Sequence, residues 1–172
     1  DAASGTSVTG LYGTITIGTD GSYSYVVDNT NSTVQALDEK NTLNEAFTVV
    51  VSDGAGGNVE QSLTITINGS NDAPVVANNL TNQSVNEDAT FSYIVPSNAF
   101  TDIDGSDSLT YSASLVDGGA LSGTWLSFEA ASRTFSGTPL NGDVGDTNVR
   151  VVASDSITTV SDDFVIQVAN TN

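Results

Sequence analysis

Two stretches of this chain repeat each other at an offset of 102 residues: Phe47-Thr48-Val49-Val50-Val51-Ser52-Asp53 has the pattern of Val149-Arg150-Val151-Val152-Ala153-Ser154-Asp155. Each is followed by an alternating apolar run, Leu63-Thr64-Ile65-Thr66-Ile67 in the first copy and Phe164-Val165-Ile166-Gln167-Val168 in the second. Both runs lead into segments rich in Asn and Asp, Asn68-Gly69-Ser70-Asn71-Asp72-Ala73-Pro74 and Asn170-Thr171-Asn172. A spacing of about 100 residues is the size of one small β domain, so the pattern predicts a tandem array taken from something longer. The acidic and amide groups at the repeated ends point to a metal ion at the joints.

Period-two alternation dominates the rest of the chain, and helical periodicity is nearly absent. Thr14-Ile15-Thr16-Ile17 and Ser22-Tyr23-Ser24-Tyr25-Val26 flank an Asp20-Gly21 turn, a strong hairpin signal. Ser32 to Leu37 reads as one short helical turn or a loop, and Asp38-Glu39-Lys40-Asn41 as a turn. Strands follow at Phe47 to Val51 and Ser62 to Ile67, joined by the glycine-rich turn Asp53-Gly54-Ala55-Gly56-Gly57-Asn58. Beyond Pro74, strands are predicted at Val75–Ala77, Gln83–Val85, Thr90–Val95, Leu109–Leu115, Trp125–Phe128 and Arg133–Phe135. Short strands at this spacing, with turn residues between them, specify an all-β sandwich fold. The domains read as 1–72 and 73–172, the first short of one or two N-terminal strands, through truncation or an insertion that splits it. Tyr23, Tyr25, Phe91, Tyr93, Phe128, Phe135 and Phe164 alternate with small polar residues, as core positions do. Trp125 reads as a buried sandwich tryptophan, with a sugar-stacking platform as the alternative.

Composition narrows the chemistry. The 21 acidic residues against 3 basic ones give a net charge of -18, which repels nucleic acid and anionic membrane surfaces. The chain has no Cys and no His, so disulfides are excluded and zinc, copper or haem sites lack their usual ligands. Oxygen donors are abundant and suit calcium. No apolar run approaches the ~20 residues of a membrane-spanning helix, and no stretch reads as a signal peptide. Paired carboxylates could in principle serve glycoside hydrolysis, but turns or calcium explain each pair, and no His or Cys supports nucleophilic chemistry, so no enzyme is expected.

Specific motifs resemble known families. Asn71-Asp72-Ala73-Pro74 is similar to the linkers of cadherin repeats, and Asp102-Ile103-Asp104-Gly105-Ser106-Asp107 to their Asp-x-Asp loop. Trp125-Leu126-Ser127-Phe128 through Phe135-Ser136-Gly137-Thr138-Pro139 resembles dystroglycan-type cadherin-like domains, a match covering roughly residues 74 to 172. In the first domain, Gly10-Leu11-Tyr12-Gly13-Thr14-Ile15-Thr16-Ile17, Asp20-Gly21-Ser22-Tyr23-Ser24-Tyr25 and Val34-Gln35-Ala36-Leu37 resemble the VCBS repeat common in large RTX adhesins. The early part of that repeat, with its own Asp-x-Asp stretch, is absent. Together the resemblances imply two tandem Ig/cadherin-like Greek-key sandwiches.

The candidate ligands follow. Asp102 and Asp104 leave a strand-to-loop segment on one side, because strand side chains alternate with period two. Asp155 in the last hairpin lies beside them, and the linker Asn71-Asp72 enters at the same end, with Asp107 in the same loop as the Asp-x-Asp pair. By analogy with cadherins, Asp38 or Glu39 reaches that junction from the first domain. At the far end, Glu87, with Asp143 or Asp146, joins Asn170 and Asn172 to face a following domain, and Asp53 faces whatever precedes the chain. Carboxylates crowded together repel unless a cation holds them. The bland alternative is an acidic surface that keeps the protein in solution, with Asp residues serving turns.

The expected function is a calcium-stabilised structural or adhesive module of a large bacterial surface adhesin, associated with biofilm. The RTX resemblance implies type I secretion to a Gram-negative cell surface. Its partners are neighbouring domains of the same polypeptide and host or cell-surface glycan or protein, with no nucleic acid, no membrane insertion and a monomeric state. The alternative is a calcium-dependent glycan- or peptide-binding module of the adhesin tip; a third reading is homophilic adhesion.

Overall fold

The structure, a computed structural model, describes residues 5–105 and 108–171. It is almost entirely β, and the chain divides into two compact units: Asp1–Asn71 with Asp104–Ser106, and Asp72–Ile103 with Asp107–Asn172. Among the described residues no helix is long and apolar enough to cross a membrane.

In the first unit, β1 (Thr6–Thr9), β2 (Gly13–Ile17) and β3 (Tyr23–Val27) form an antiparallel sheet in that order. The Asp20-Gly21 turn joins β2 to β3: Gly21 sits at φ +85, and Asp20 Oδ1 accepts from the Ser22 N–H (3.0 Å) and hydroxyl (2.6 Å). The ambiguous stretch resolves into one helical turn, α1 (Ser32–Gln35), because Asn31 caps it, its Oδ1 accepting from the N–H groups of Thr33 and Val34. β4 (Thr42–Ser52) and β5 (Asn58–Asn68) pair antiparallel from Thr42↔Asn68 to Ser52↔Asn58. Both run longer than the sequence predicts, because the charged Glu45 and Glu60 interrupt the apolar alternation while the ladder continues through them. Among the described residues of this unit, buried apolar side chains are few: Ile15, Leu37 and Ile67. Tyr25 is half-buried, its ring 6.1 Å from that of Phe47. Tyr23, expected in the core, is 56% exposed, a correction that follows from how little apolar layering this unit has.

The second unit carries β6 (Val75–Val76), β7 (Gln83–Asn86), β8 (Phe91–Ile94), β9 (Phe100–Thr101), β10 (Thr110–Leu115), β11 (Leu126–Glu129), β12 (Thr134–Gly137), β13 (Gly145–Ser154) and β14 (Thr159–Ala169). One sheet has the order β10-β13-β14-β7, another β11-β12-β8, and β6 pairs β9. All pairings are antiparallel except β7 with β14, where Gln83 faces Ile166 and Asn86 faces Ala169. Alternation aims Val149, Val151, Ala153, Phe164 and Ile166 inward against Phe91, Val95, Leu126 and Phe135, and all belong to one buried cluster. The predicted core positions Phe91, Phe135 and Phe164 are buried, and Tyr93 and Phe128 pack against them half-buried. Trp125 is also half-buried there, edge-on to Phe91 at 5.7 Å. β9 escaped the sequence reading because a two-residue strand shows no alternation.

Arg150 forms a two-pronged pair with Asp163 across β13 and β14, Nε to Oδ1 and Nη2 to Oδ2, both 2.8 Å. The Arg150 bond holds the Asp163 carboxyl below the usual carboxylate range. Both side chains are more than a third exposed, so the pair contributes at most ~1 kcal/mol.

Candidate metal centre

The site is built from buried carboxylates. Among the described residues five charged side chains are buried: Asp38, Glu45, Glu87, Asp104 and Asp155. Four of them are predicted ligands; the fifth was missed.

In the first unit the segment Ala36–Asn41 is a meeting point. The Gly69 N–H donates to Asn41 O at 3.1 Å, the Ser70 N–H to Leu37 O at 3.2 Å, and the Gly105 N–H to Ala36 O at 3.2 Å. Only glycine fits at 69, since a Cβ there would overlap the Asp38 carbonyl oxygen and lie 2.5 Å from that of Leu37. These bonds bring the backbone leading to Asn71, and the Asp104-Gly105 turn, against the segment that carries Asp38. Asp38 is 1% exposed and its Oδ1 accepts from the Lys40 N–H (2.9 Å) and Asn41 Nδ2 (2.6 Å). Asp104 is 3% exposed, and Asn71 is half-buried. Glu39 is exposed and paired with Lys40 at 3.1 Å.

Asp53 sits apart from this group on the exposed tip of the β4–β5 hairpin. Its Oδ1 accepts from the N–H groups of Ala55 (2.8 Å) and Gly57 (2.9 Å), which hold its carboxyl below the usual range. That is the geometry of a turn former.

In the second unit Asp102 is half-buried and follows β9, while Asp72 is exposed. The stretch after Thr101 is a bend rather than a strand, so strand alternation does not set the sides of Asp102 and Asp104; moreover, Asp104 groups with the first unit. Asp155 is 4% exposed in the β13–β14 turn, where Oδ1 accepts from the Ile157 and Thr158 N–H groups and Oδ2 from the Thr158 hydroxyl, each at 2.6 Å. Elsewhere in the unit, Glu87 is 4% exposed, and its Oε1 accepts from the Thr171 N–H (2.8 Å) and hydroxyl (3.2 Å). The Thr171 N–H is the main cause of a lowered Glu87 carboxyl pKa. Its Oε2 is buried, and the Asn141 side chain adds to the lowering of the carboxyl pKa. Asp143 instead accepts from the Leu140 N–H at 2.8 Å, and Asp146 lies near Gln167. Asn170 is exposed, while Asp107 and Asn172 lie outside the described residues.

Among the described residues, no three acidic side chains converge into a group that could hold a metal ion unaided. A centre here therefore needs amide, hydroxyl and backbone oxygens beside the carboxylates, a donor mixture calcium accepts. The donor set fits a hard cation on one further count. The whole chain has 3 Lys and Arg residues, fewer than its buried carboxylates, and burying a carboxylate without compensation is costly.

Glu45 is compensated differently. Its Oε1 accepts from the Leu11 N–H and from the Tyr12 N–H at 3.2 Å, and Oε2 from the Tyr25 hydroxyl at 2.5 Å. It pins the Gly10–Gly13 turn to β4, and a Cβ on Gly10 would collide with its carboxylate. The available signal was a charge at an inward position of the alternating run Leu43, Glu45, Phe47, Val49. Burial, then Glu45, pushes the Tyr25 hydroxyl pKa up. A group with a raised folded pKa stabilises fully below its unfolded pKa of ~10 and loses that contribution as pH rises through the folded value. Alkaline unfolding monitored by circular dichroism should therefore show a loss of first-unit stability above about pH 10, absent in Tyr25→Phe.

A shallow groove in the second unit is lined by Leu115, Asp117, Thr124, Trp125, Asp146 and Asn148, among others. The Trp125 indole N–H points to Thr147 Oγ1 at 3.4 Å.

Comparison with known proteins yields one family. Residues 73–169 match the model of the family described as "Putative Ig domain". Among solved structures, the extracellular cadherin domains 1–4 of protocadherin gamma B7 align with 96% of this chain and 41% of theirs, at 18% identity and a TM-score of 0.57. An endo-fucoidan hydrolase of glycoside hydrolase family 107, MfFcnA4, aligns at 22% identity and a TM-score of 0.45, covering all of this chain and 24% of its own. Titin domain M7 aligns with 58% of this chain and 96% of its own, at 16% identity and a TM-score of 0.39. The chain thus spans less than half the length of the first two. No curated protein sequence matches it.

Proposed function

For this chain, which belongs to that Ig-domain family through residues 73–169, we propose the role of a calcium-stabilised extender in a bacterial surface adhesin. An Ig-like, cadherin-like sandwich fits a structural or adhesive module, and the proposal contains no catalytic step. Asn71, Asp72, Asp102, Asp104 and Asp155, with Asp38 or Glu39 and Asp107, are the residues assigned to calcium at the linker; Glu87 with Asn170 serves the next joint. Calcium supplies positive charge that lets these carboxylates approach, so the joints stiffen when it binds and flex when it leaves. Secretion to the cell surface, a monomeric state and partners within the same polypeptide belong to the same reading.

One observation carries it: Asp38, Glu87, Asp104 and Asp155 are each under 5% exposed in a chain of net charge -18. Acidic residues that only keep a protein in solution have no reason to be buried. A ligand that binds only the folded form at 100 times its dissociation constant adds ~2.7 kcal/mol. Thermal melting in calcium and then in chelator should accordingly show Tm falling by several degrees, with small-angle scattering showing a shorter mean end-to-end length. Unchanged Tm and length would refute the role.

The Trp125 groove favours a second reading, a calcium-dependent glycan- or peptide-binding module. A half-buried indole beside Asp117, Thr124, Asp146 and Asn148 offers apolar surface with partners for hydroxyl groups. Trp125 is the chain's one tryptophan, so its fluorescence reports on the groove directly. If this reading holds, neutral oligosaccharides shift the emission when calcium is present, and an unresponsive spectrum across the panel removes it.

A further inference from the structure

The repeated hairpins let one unit be measured against the other. β4 and β5 correspond in sequence to β13 and β14. In the second unit the inward residues Val149, Val151, Ala153, Phe164 and Ile166 are at most 2% exposed. Their counterparts Phe47, Val49, Leu63 and Ile65 are half-buried, and Val51, the counterpart of Ala153, is 63% exposed. The same side-chain pattern is closed in one unit and open in the other.

Strand neighbours explain the difference. β13 is flanked by β10 and β14 by β7, whereas β4 and β5 pair only with each other among the described residues. The β2–β3 hairpin holds the place of β11–β12, since each is the last hairpin before its unit's long pair. β12 is bordered by β8, but β3 is an edge. Among the described residues of the first unit, three positions therefore have no strand, those of β7, β8 and β10. β1 fills none of them, because it lies on β2, the far side from the β3 edge. Tyr23 (56% exposed), on the face of β3 that it shares with Tyr25, and the inward positions Val51 (63%) and Val59 (67%) of the long hairpin mark the uncovered surface.

We propose that three further strands complete the first unit: one parallel to β5, one antiparallel to β4 and one antiparallel to β3, supplied by polypeptide preceding Asp1. Chain order identifies the source. β7, β8 and β10 all precede β11, so their equivalents precede β2 on the same chain. The pairing modes are those of β7 with β14, β10 with β13 and β8 with β12. A second copy is a poor occupant, since each chain carries a net charge of -18 and two would repel. The arriving strands need an apolar residue at every second position, facing Phe47, Val49, Leu63 and Ile65. This inference is independent of the calcium reading.

Amide hydrogen exchange on the 172-residue chain, and on the same chain extended by its own upstream sequence, tests it. In the shorter chain, amides of Val49–Val51 and Val59–Gln61 should exchange at least ~100-fold faster than those of Val151–Ala153 and Val160–Asp162. The extension should slow them to the second unit's rates while sedimentation still reports a monomer. Equal protection in the shorter chain would overturn the open edges, and protection that appears only in a sedimenting dimer would overturn the source. An extension that leaves the exchange unchanged would overturn the proposal as a whole.

Discussion

Phe135→Ala should lower the stability of the second unit by about 3–5 kcal/mol, the usual cost of emptying a buried aromatic site. Phe135 has no exposed surface, lies 4.5 Å from the ring of its cross-strand neighbour Phe128 and 5.6 Å from that of Phe164, and joins the two sheets through Phe164. Collapse around the deletion is restricted because Val149, Val151 and Ile166, also fully buried, are fixed by the four-stranded ladder. For a domain of this size each kcal/mol moves Tm by roughly 4–8 °C, so calorimetry should see the second unit's transition move by well over 10 °C. A shift within a degree or two would mean that the aromatic cluster does not hold the sheets together.

Glu45→Ala should act on the other unit. It strips the acceptor from the Leu11 and Tyr12 N–H groups and from the Tyr25 hydroxyl at once. Unsatisfied donors in a partly buried setting cost ~1–3 kcal/mol each, and some regain water, so a loss of about 3 kcal/mol is expected. Glu45→Gln keeps an acceptor without the charge and should lose about half as much. Denaturant unfolding followed by tyrosine signal would show this, with the second unit's transition unmoved. Should Glu45→Ala match wild type, the buried carboxylate is not what secures the Gly10–Gly13 turn.

Much of this was legible in the residues, and the gaps have physical causes. Hairpins announced themselves because alternation is a local signal, reinforced by Asp-Gly at the β2–β3 and β4–β5 turns; β13–β14 turns through residues 155–158 without a glycine. Tyr23 misled because alternation says which residues share a face, not whether another layer covers it. The candidate ligands divided along the same line. Sequence marks Asp38, Glu87, Asp104 and Asp155 only as acidic; their burial depends on which backbone packs against them, as the Gly69 approach to Leu37 and Asp38 illustrates. Asp53 carries the same Ser-Asp signature as Asp155 yet is exposed, because the two turns differ in length and glycine content.

Calcium binding is the property on which the proposed extender role depends. Isothermal titration of the chelator-stripped chain with calcium should give saturable binding at ~10⁻⁴–10⁻³ M or tighter, and Asp104→Asn should weaken one class of sites while Glu87→Gln weakens another. A flat titration up to millimolar calcium would contradict it, as would binding that neither substitution alters.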